Sequence, residues 1–210
     1  MKVTIIGAGN MGSAFVKQLT RAGHQVSVAA RHLDKAQALA AAHPGSTAVA
    51  GAQAVADADV VVLATAYADA VVALKGVGSL AGKVVVDITN PLTPDYMGLT
   101  LGHSTSAAEE IAKAFPDAEV VKAFNTLFAQ VLTDGADFGE GKKATVFVAS
   151  DSERAKQTAR SLAESMGFLT VDAGSLKNAR YLEPLAGLNI YLGYGAGLGT
   201  TIAPTWIHRV

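Results

Sequence analysis

Three glycines near the start of the chain have the spacing of a phosphate-binding turn. Gly7, Gly9 and Gly12 fit the pattern G-x-G-x-x-G and follow a short apolar run from Val3 to Ile6. In such turns the first glycine permits a sharp bend, the second lets the backbone approach a pyrophosphate, and the third lets a helix lie close to the strand. Free N–H groups at the start of that helix would bind the phosphates. The pattern predicts a dinucleotide site formed by Gly7, Ala8, Gly9, Asn10, Met11 and Gly12.

The residues after the second apolar run indicate which dinucleotide binds. This run, Gln25 to Ala30, lies where a βαβ unit needs its second strand, which favours a ligand site over a turn that serves packing alone. NAD enzymes usually place Asp or Glu at the end of this strand, but here Arg31 and His32 follow it, with Lys35 one turn further on. Arginine binds a 2′-phosphate that a carboxylate would repel, so we predict NADP(H). The alternative is that Arg31 and Lys35 are solvated surface charges, offset by Asp34.

Three later loops carry groups that suit the nicotinamide end of such a coenzyme. In this fold ligands lie beyond the carboxyl ends of the strands, near the point where the strand order reverses. The predicted loop contacts are Thr65, Ala66, Tyr67, Asn90, Pro91, Leu92 and Asn125. Tyr67 would cover a ring and Pro91 would pack on the nicotinamide. Asn90 and Asn125 would serve catalysis, Asn125 by positioning only, although for any single residue an ordinary turn or core role is the alternative.

The sequence offers few general acids for this cleft. Reduction of a carbonyl needs a proton donor for the developing alkoxide. Among the histidines only His103 comes near the predicted cleft, and a surface position is the stronger interpretation for it. Hydride transfer to a flavin-like ring needs no such donor, because the ring delocalises charge and takes a proton from water. The pattern therefore favours a planar redox acceptor that the protein orients by stacking.

Short apolar runs alternate with helical patterns along most of the chain. The further predicted strands are Thr47–Val49, Val60–Ala64, Val84–Asp87, Glu119–Ala123, Thr145–Ala149 and Phe168–Asp172. The predicted helices include Asp34–Ala42, Ala68–Leu74, Ser106–Phe115 and Asp151–Met166. The alternation predicts an α/β fold of Rossmann type, with a doubly wound, mostly parallel sheet and a short C-terminal helical tail. We assign residues 1–172 to an NADP-binding domain and 173–210 to a helical, glycine-rich tail that completes the acceptor site or a dimer interface.

Composition narrows the class of protein. The 210 residues are 50% hydrophobic and 17% charged, and their formal net charge of −1 argues against a nucleic-acid partner. The chain has no cysteine, which excludes disulfides and cysteine metal sites, and we predict no metal site. Met1 and Lys2 lead directly into the first strand without room for a signal peptide, and no apolar run approaches the roughly 20 residues of a membrane span. We therefore expect a cytoplasmic protein with no membrane partner.

Segments spread over nearly the whole chain carry a family resemblance. They are IIGAGNMG at Ile5–Gly12, AARHLDKA at Ala29–Ala36, DITNPL at Asp87–Leu92, SAAEEIA at Ser106–Ala112, VVKAFNTL at Val120–Leu127 and DAGSLKNARYLEPL at Asp172–Leu185. On these segments the chain resembles NADPH-dependent reductases of the deazaflavin coenzyme F-420 and their bacterial relatives. The last three segments are more specific than the glycine pattern, because together they link the tail to the sheet. The resemblance implies NADP(H) as coenzyme, and with the apolar tail it suggests a homodimer.

The resemblance also assigns roles to individual residues. It implies that Arg31 and Lys35 hold the 2′-phosphate of NADP(H). It further implies that the loops Asn90–Leu92 and Asn125–Leu127 adjoin the nicotinamide and the acceptor ring. Ala30 stands where well-studied deazaflavin reductases carry a hydroxyl residue, which trims the 2′-phosphate site.

The tail carries further candidates. Arg180 and Glu183 match the tail signature of the family, and we interpret them as a structural pair rather than as catalysts. Three aromatic residues, Tyr191, Tyr194 and Trp206, are candidates for contacts with the acceptor.

These observations lead to one main hypothesis and two alternatives. The main hypothesis is an NADPH-dependent oxidoreductase that transfers hydride between NADP(H) and a small-molecule acceptor, either coenzyme F-420 or a flavin. One alternative is an imine or keto-acid reductase, in which Lys122 or His103 would be essential. The other is a non-catalytic NADP(H)-binding redox sensor, which the shortage of acid–base groups also suits.

Overall fold

A parallel sheet of six strands forms the centre of the protein, in the order β3-β2-β1-β4-β5-β6. The computed structural model describes residues 1–206, so residues 207–210, the end of the predicted tail, lie outside the described range. The strands are β1 (Lys2–Ile6), β2 (Gln25–Ala29), β3 (Ser46–Ala48), β4 (Val60–Leu63), β5 (Val84–Asp87) and β6 (Glu119–Lys122). All lie within a residue of their predicted bounds. Both β2 and β4 pair with β1, so the strand order reverses there and opens a crevice at the carboxyl ends of the strands.

Helices cover both faces of the sheet. They are α1 (Asn10–Arg21), α2 (Leu33–Ala42), α3 (Tyr67–Lys75), α4 (Ala107–Ala114), α5 (Ala129–Asp134), α6 (Glu153–Ser165) and α7 (Ala179–Ile190). A π-helical turn, Tyr191–Gly195, continues α7. The sequence did not predict α5, whose six residues are too few for a helical period to be recognised. The predicted doubly wound Rossmann-type fold is confirmed, and no helix within residues 1–206 has the length and hydropathy to span a membrane.

The central strands are apolar along their whole length because both of their faces are buried. Val60 and Val62 of β4 belong to the core cluster that includes α1, α5 and α6. Val61 and Leu63 belong to the cluster that includes α3 and α4. This explains why the sequence shows continuous apolar runs rather than alternation.

Two further strands extend the fold beyond β6. The strands β7 (Thr145–Val148) and β8 (Leu169–Asp172) pair in parallel and form a separate two-stranded sheet. An antiparallel bridge joins Lys122, the last residue of β6, to Ala149. The fold is therefore mostly parallel, as the sequence predicts, with one antiparallel junction.

A buried ion cluster ties the tail helix to the end of the sheet. Lys122 is fully buried, and its Nζ lies 2.7 Å from Asp87 Oδ2 on β5 and 2.8 Å from Glu183 Oε1 on α7. The same ammonium donates a hydrogen bond of 2.7 Å to the carbonyl of Thr89. Two carboxylates and one carbonyl oxygen thus surround the ammonium within 2.8 Å. Burial by itself would lower the pKa of Lys122, but the two carboxylates raise it, so the group stays protonated at neutral pH.

The two charged tail residues have different partners, so the predicted pairing of Arg180 with Glu183 is wrong. The Glu183 carboxylate accepts the backbone N–H groups of Ala107 and Ala108 at the start of α4, in addition to its contact with Lys122. Arg180 donates to Glu109 of α4, with its Nη2 2.6 Å from Glu109 Oε1, and this lowers the pKa of Glu109. Glu183 faces inward because the buried ammonium requires a carboxylate, while Arg180 forms its ion pair at the more exposed side of α4.

Lys122→Met should lower the free energy of unfolding by about 3–5 kcal/mol, because it leaves two buried carboxylates without a cation. Urea denaturation measures the change. Uncompensated buried carboxylates take up protons more readily, so the deficit should be smaller at about pH 5 than at about pH 8. Lys142→Met is the matched control, since that ammonium pairs with Glu140 but is 73% exposed, and it should leave stability nearly unchanged. Equal losses for the two variants would show that the buried cluster adds nothing to stability.

Candidate functional site

A groove of 510 Å³ opens at the carboxyl ends of β1, β2 and β4. It brings together the glycine turn, the cations after β2 and the loop after β4. The predicted coenzyme residues that line it are Gly7, Ala8, Gly9, Arg31, His32, Lys35, Thr65 and Ala66. The groove brings these residues together, and their contacts with a coenzyme stay predictions.

The three glycines of the turn have different steric surroundings. A Cβ on Gly7 would overlap the carbonyl oxygen of Ala64, and Gly7 also has a φ of +118°. A Cβ on Gly12 would overlap the carbonyl oxygen of Gly7, so these two glycines are required by packing within the protein. A Cβ on Gly9 would meet nothing within 4 Å, so its open side faces the groove. No side chain caps α1 and its first turn has no acidic residue, which leaves N–H groups for a pyrophosphate.

The cations after β2 face the groove, as a 2′-phosphate site requires. Arg31, His32 and Lys35 all line it. The Arg31 side chain is 79% exposed and its guanidinium lies 4.0 Å from the Asp69 carboxylate, which is itself 54% exposed. An ion pair this long and solvated is weak, so a phosphate could readily replace the carboxylate.

The sequence missed one wall of the groove, which α3 forms. Its lining residues share one helix face and are Asp69, Val72, Ala73 and Gly76. Their spacing of three, four and seven residues is the signal that would have identified this face, together with Val72, an apolar residue that is 76% exposed. Ala50 and Gly51, which also line the groove, lie in a segment without any such pattern.

Two asparagines fix each other at the ends of β5 and β6. Asn125 Nδ2 donates to Asn90 Oδ1 over 2.9 Å, and Asn90 Nδ2 donates to the Asn125 carbonyl over 2.9 Å. The remaining Nδ2 donor of Asn125 bonds to the carbonyl of Leu182 on α7, also at 2.9 Å. Both donors of this amide therefore meet carbonyl-type oxygens, which defines its orientation. Asn125 Oδ1 is buried and has no partner within residues 1–206.

The backbone beside this pair is held in an unusual conformation. Phe124 has a φ of +60°, in the left-handed region that bulky residues seldom adopt. Its buried ring packs edge-on against Phe15, at 5.1 Å between centroids, and against Phe168, at 6.4 Å. Thr89 Oγ1 and Thr126 Oγ1 are also buried without partners among the described residues. Buried polar groups are normally satisfied, so these unpartnered oxygens are an unusual feature of the ends of β5 and β6.

The remaining predicted residues lie outside the groove. Tyr67 is partly buried against the α3–α4 cluster, and burial, followed by the charge of Glu110, raises the pKa of its hydroxyl. Pro91 is buried, and its carbonyl accepts a hydrogen bond from the Thr100 amide over 2.7 Å. Leu92 forms a bridge with Leu99. Their contacts with a coenzyme ring stay predictions, as do those of Met11, which packs against the core on the α1 side.

Neither Lys122 nor His103 presents a proton to the groove. Lys122 is enclosed by its three acceptors. His103 is exposed in the loop before α4, and its carbonyl is a 3.4 Å acceptor for Arg180. Within residues 1–206 no three His, Cys, Asp or Glu side chains come together as a metal site.

The tail aromatics occupy different places. Tyr194 packs edge-on against Phe128, with 5.7 Å between ring centroids. Trp206 packs in the same way against Phe147 of β7, at 5.1 Å. Tyr191 is 53% exposed. Of the three, Tyr194 is the one that lies beside the glycine turn, because it shares a second pocket with Asn10.

Comparison with solved structures shows relatives along the whole chain. A protein of Arthrobacter sp. FB24, provisionally assigned as an F420-dependent NADP reductase, is 30% identical and has a TM-score of 0.87. The match covers 99% of this chain and 100% of that one. The hypothetical protein SMa0349 of Sinorhizobium meliloti is 32% identical, with a TM-score of 0.76 over 84% of this chain and 86% of that one. A reductive aminase of Aspergillus terreus in complex with NADPH and ethyl levulinate is 21% identical, with a TM-score of 0.69 over 93% and 62%, and shares the fold.

Comparison with curated proteins and family models also finds reductases and NADP oxidoreductases. The chain is 31% identical over 185 residues to the metalloreductase STEAP3 of Rattus norvegicus, which covers 88% of this chain and 36% of that protein. The chain thus spans about a third of the length of this relative. The model of the family described as NADP oxidoreductase, coenzyme F420-dependent, matches residues 2–91. The chain therefore belongs to the family of coenzyme F420-dependent NADP oxidoreductases.

Proposed function

We propose that the protein passes a hydride from NADPH to the planar ring of a deazaflavin or a flavin. The observation that carries this proposal is the Asn90–Asn125 pair, a neutral amide frame with one unsatisfied buried oxygen, at the strand ends where the nicotinamide of such a coenzyme would lie. Amides position rings but supply no proton at neutral pH, which suits an acceptor that needs none from the protein.

The residues present fit the coenzyme along the crevice. Arg31, His32 and Lys35 would hold the 2′-phosphate, and the turn at Gly9 with the start of α1 would hold the pyrophosphate. Asn125 Oδ1 would accept a hydrogen bond from the nicotinamide carboxamide. When bound, NADPH supplies a hydride to the acceptor ring, which takes its proton from water, and NADP⁺ is left.

The protein's own contribution is therefore orientation rather than acid–base chemistry. Correct placement of two rings removes much of the entropic part of the barrier. Reduction of an imine or a keto acid would require a donor beside the nicotinamide. Lys122 is not available for this role, since its ammonium is fully buried, forms ion pairs with Asp87 and Glu183, and donates to the Thr89 carbonyl.

The tail, predicted to run from residue 173, would complete the acceptor side and join two copies of the chain. Exposed apolar residues form a stripe along α7 and the π-helical turn, with Tyr181 74%, Leu188 54% and Tyr191 53% exposed. Their spacing of seven and then three residues keeps them on one side of the helix. We propose that this stripe is the interface of a homodimer.

Arg31→Ala should weaken NADPH binding by about 1.5–3 kcal/mol, because it removes a charge-assisted bond to the 2′-phosphate, and should barely change NADH binding. Titration of intrinsic protein fluorescence with each coenzyme measures both affinities. Asp69→Asn is the matched variant, since it removes the carboxylate 4.0 Å from Arg31. It should strengthen the binding of NADPH and leave the binding of NADH unchanged. Equal losses for NADPH and NADH in Arg31→Ala would contradict the NADP assignment.

Anaerobic oxidation of NADPH, followed by absorbance with coenzyme F-420, FMN and riboflavin in turn, tests the proposed reaction. We also include a ferric salt, because one relative is a metalloreductase. Asn125→Ala should reduce kcat by about 100-fold through misplacement of the rings. NADPH binding should weaken only by the worth of one hydrogen bond, about 0.5–1.5 kcal/mol, since most of the coenzyme contacts lie in the groove. Tight NADPH binding without turnover on any acceptor would favour the redox sensor instead.

Leu188→Lys should convert the dimer to a monomer, because a charge in the centre of the stripe would be buried without a partner. Light scattering coupled to size-exclusion chromatography gives the mass. Leu169→Lys on β8 is the control, since Leu169 is 50% exposed and lies outside the stripe. A parent protein that is monomeric at micromolar concentration would rule out the dimer.

A further inference from the structure

A second pocket, of 390 Å³, lies beside the coenzyme groove, between α1, α5 and the tail. It shares no lining residue with the groove. Its first residue, Asn10, directly follows Gly9, where the pyrophosphate would bind, and Phe128 lies three residues after Asn125. The pocket therefore borders the residue that follows the glycine turn and the segment that follows Asn125, where the nicotinamide would lie.

The lining of this pocket is polar but uncharged. Its polar lining residues are Asn10, Ser13, Gln130, Thr133, Tyr194 and Thr200, with no Asp, Glu, Lys, Arg or His among the described residues that line it. The Gln130 amide donates to the Asp134 carboxylate over 2.7 Å, which leaves the amide of Asn10 and the hydroxyl groups for a ligand. Lys17 comes near, but its exposed ammonium donates to the Thr133 carbonyl over 3.0 Å and does not line the pocket. The coenzyme groove, in contrast, has Arg31, His32 and Lys35. The groove therefore offers cationic side chains to a phosphate, whereas the second pocket offers neutral polar side chains.

Aromatic packing fixes the outer wall of the pocket. The rings of Phe128 and Tyr194 meet edge-to-face, with an interplanar angle of 89°. Gly193 makes this approach possible, because a Cβ there would lie 2.6 Å from Phe128 Cζ and 3.0 Å from the carbonyl of Gly199. The tail thus packs closely on α5, and an aromatic surface stands next to the polar lining.

We propose that this pocket holds the uncharged polyhydroxyl side chain of the flavin acceptor, so that riboflavin is preferred to its phosphate ester FMN. The inference rests on the proposed function, because the flavin ring must lie next to the nicotinamide. Hydroxyl groups of a ribityl chain can exchange hydrogen bonds with the amide and hydroxyl lining. A phosphate dianion would lose hydration without gaining a cation, which is unfavourable in a partly enclosed site.

Steady-state rates of NADPH oxidation with riboflavin and with FMN test the proposal, because the two flavins share the same ring. We expect kcat/KM for riboflavin to exceed that for FMN by about tenfold or more. Thr200→Lys adds a cation to the pocket. It should raise the ratio of kcat/KM for FMN to kcat/KM for riboflavin by about tenfold. Gln157→Lys on the exposed side of α6 adds the same charge elsewhere and should leave the ratio unchanged.

Quenching of flavin fluorescence measures flavin binding without turnover, so it tests the pocket assignment separately from the proposed hydride transfer. Reduction of both flavins at equal rates, unaffected by Thr200→Lys, would overturn the pocket assignment and leave hydride transfer standing. Suppose that riboflavin binds tightly, that Thr200→Lys changes the binding preference from riboflavin to FMN, and that NADPH is not oxidised. This result would support the pocket assignment and overturn the proposed reaction. Absence of both quenching and turnover would overturn both.

Discussion

The buried ammonium of Lys122 is the interaction on which the arrangement of the site depends. A charge in the interior is tolerated only with partners of opposite sign, and here those partners come from β5 and from α7. The tail helix must therefore dock with Glu183 inward. The same carboxylate also satisfies the first amides of α4, so one side chain joins three elements.

The docked tail helix also contacts the proposed nicotinamide end of the site. Leu182 directly precedes Glu183 in α7, and its carbonyl accepts a hydrogen bond from the Asn125 amide. The left-handed turn at Phe124, held by packing against Phe15, brings Asn125 to this position. The orientation of this buried neutral amide thus depends on a charge buried in the core.

Charge is divided sharply along the crevice. Cations are concentrated after β2, where a phosphate would bind, while amides and hydroxyls follow β5 and β6. Lys122, at the end of β6, is neutralised within the core. This separation of cations from neutral groups suits the proposed reaction. The coenzyme would be held through its phosphates, and the neutral amides would orient the two reacting rings without a nearby charge that changes the protonation of those rings.

The sequence by itself determined the strands, the glycine turn and the cations after β2, because each depends on short-range patterns such as apolar runs, steric demands of a turn and the residue type at a strand end. Tertiary structure alone decided the partners of Arg180 and Glu183, which the sequence wrongly paired with each other. It also decided the α3 wall of the groove and the uncharged pocket beside Tyr194. These features join residues far apart in the chain. The contacts between these residues depend on how a buried charge is compensated and on how the helices pack. Local sequence periodicity predicts neither.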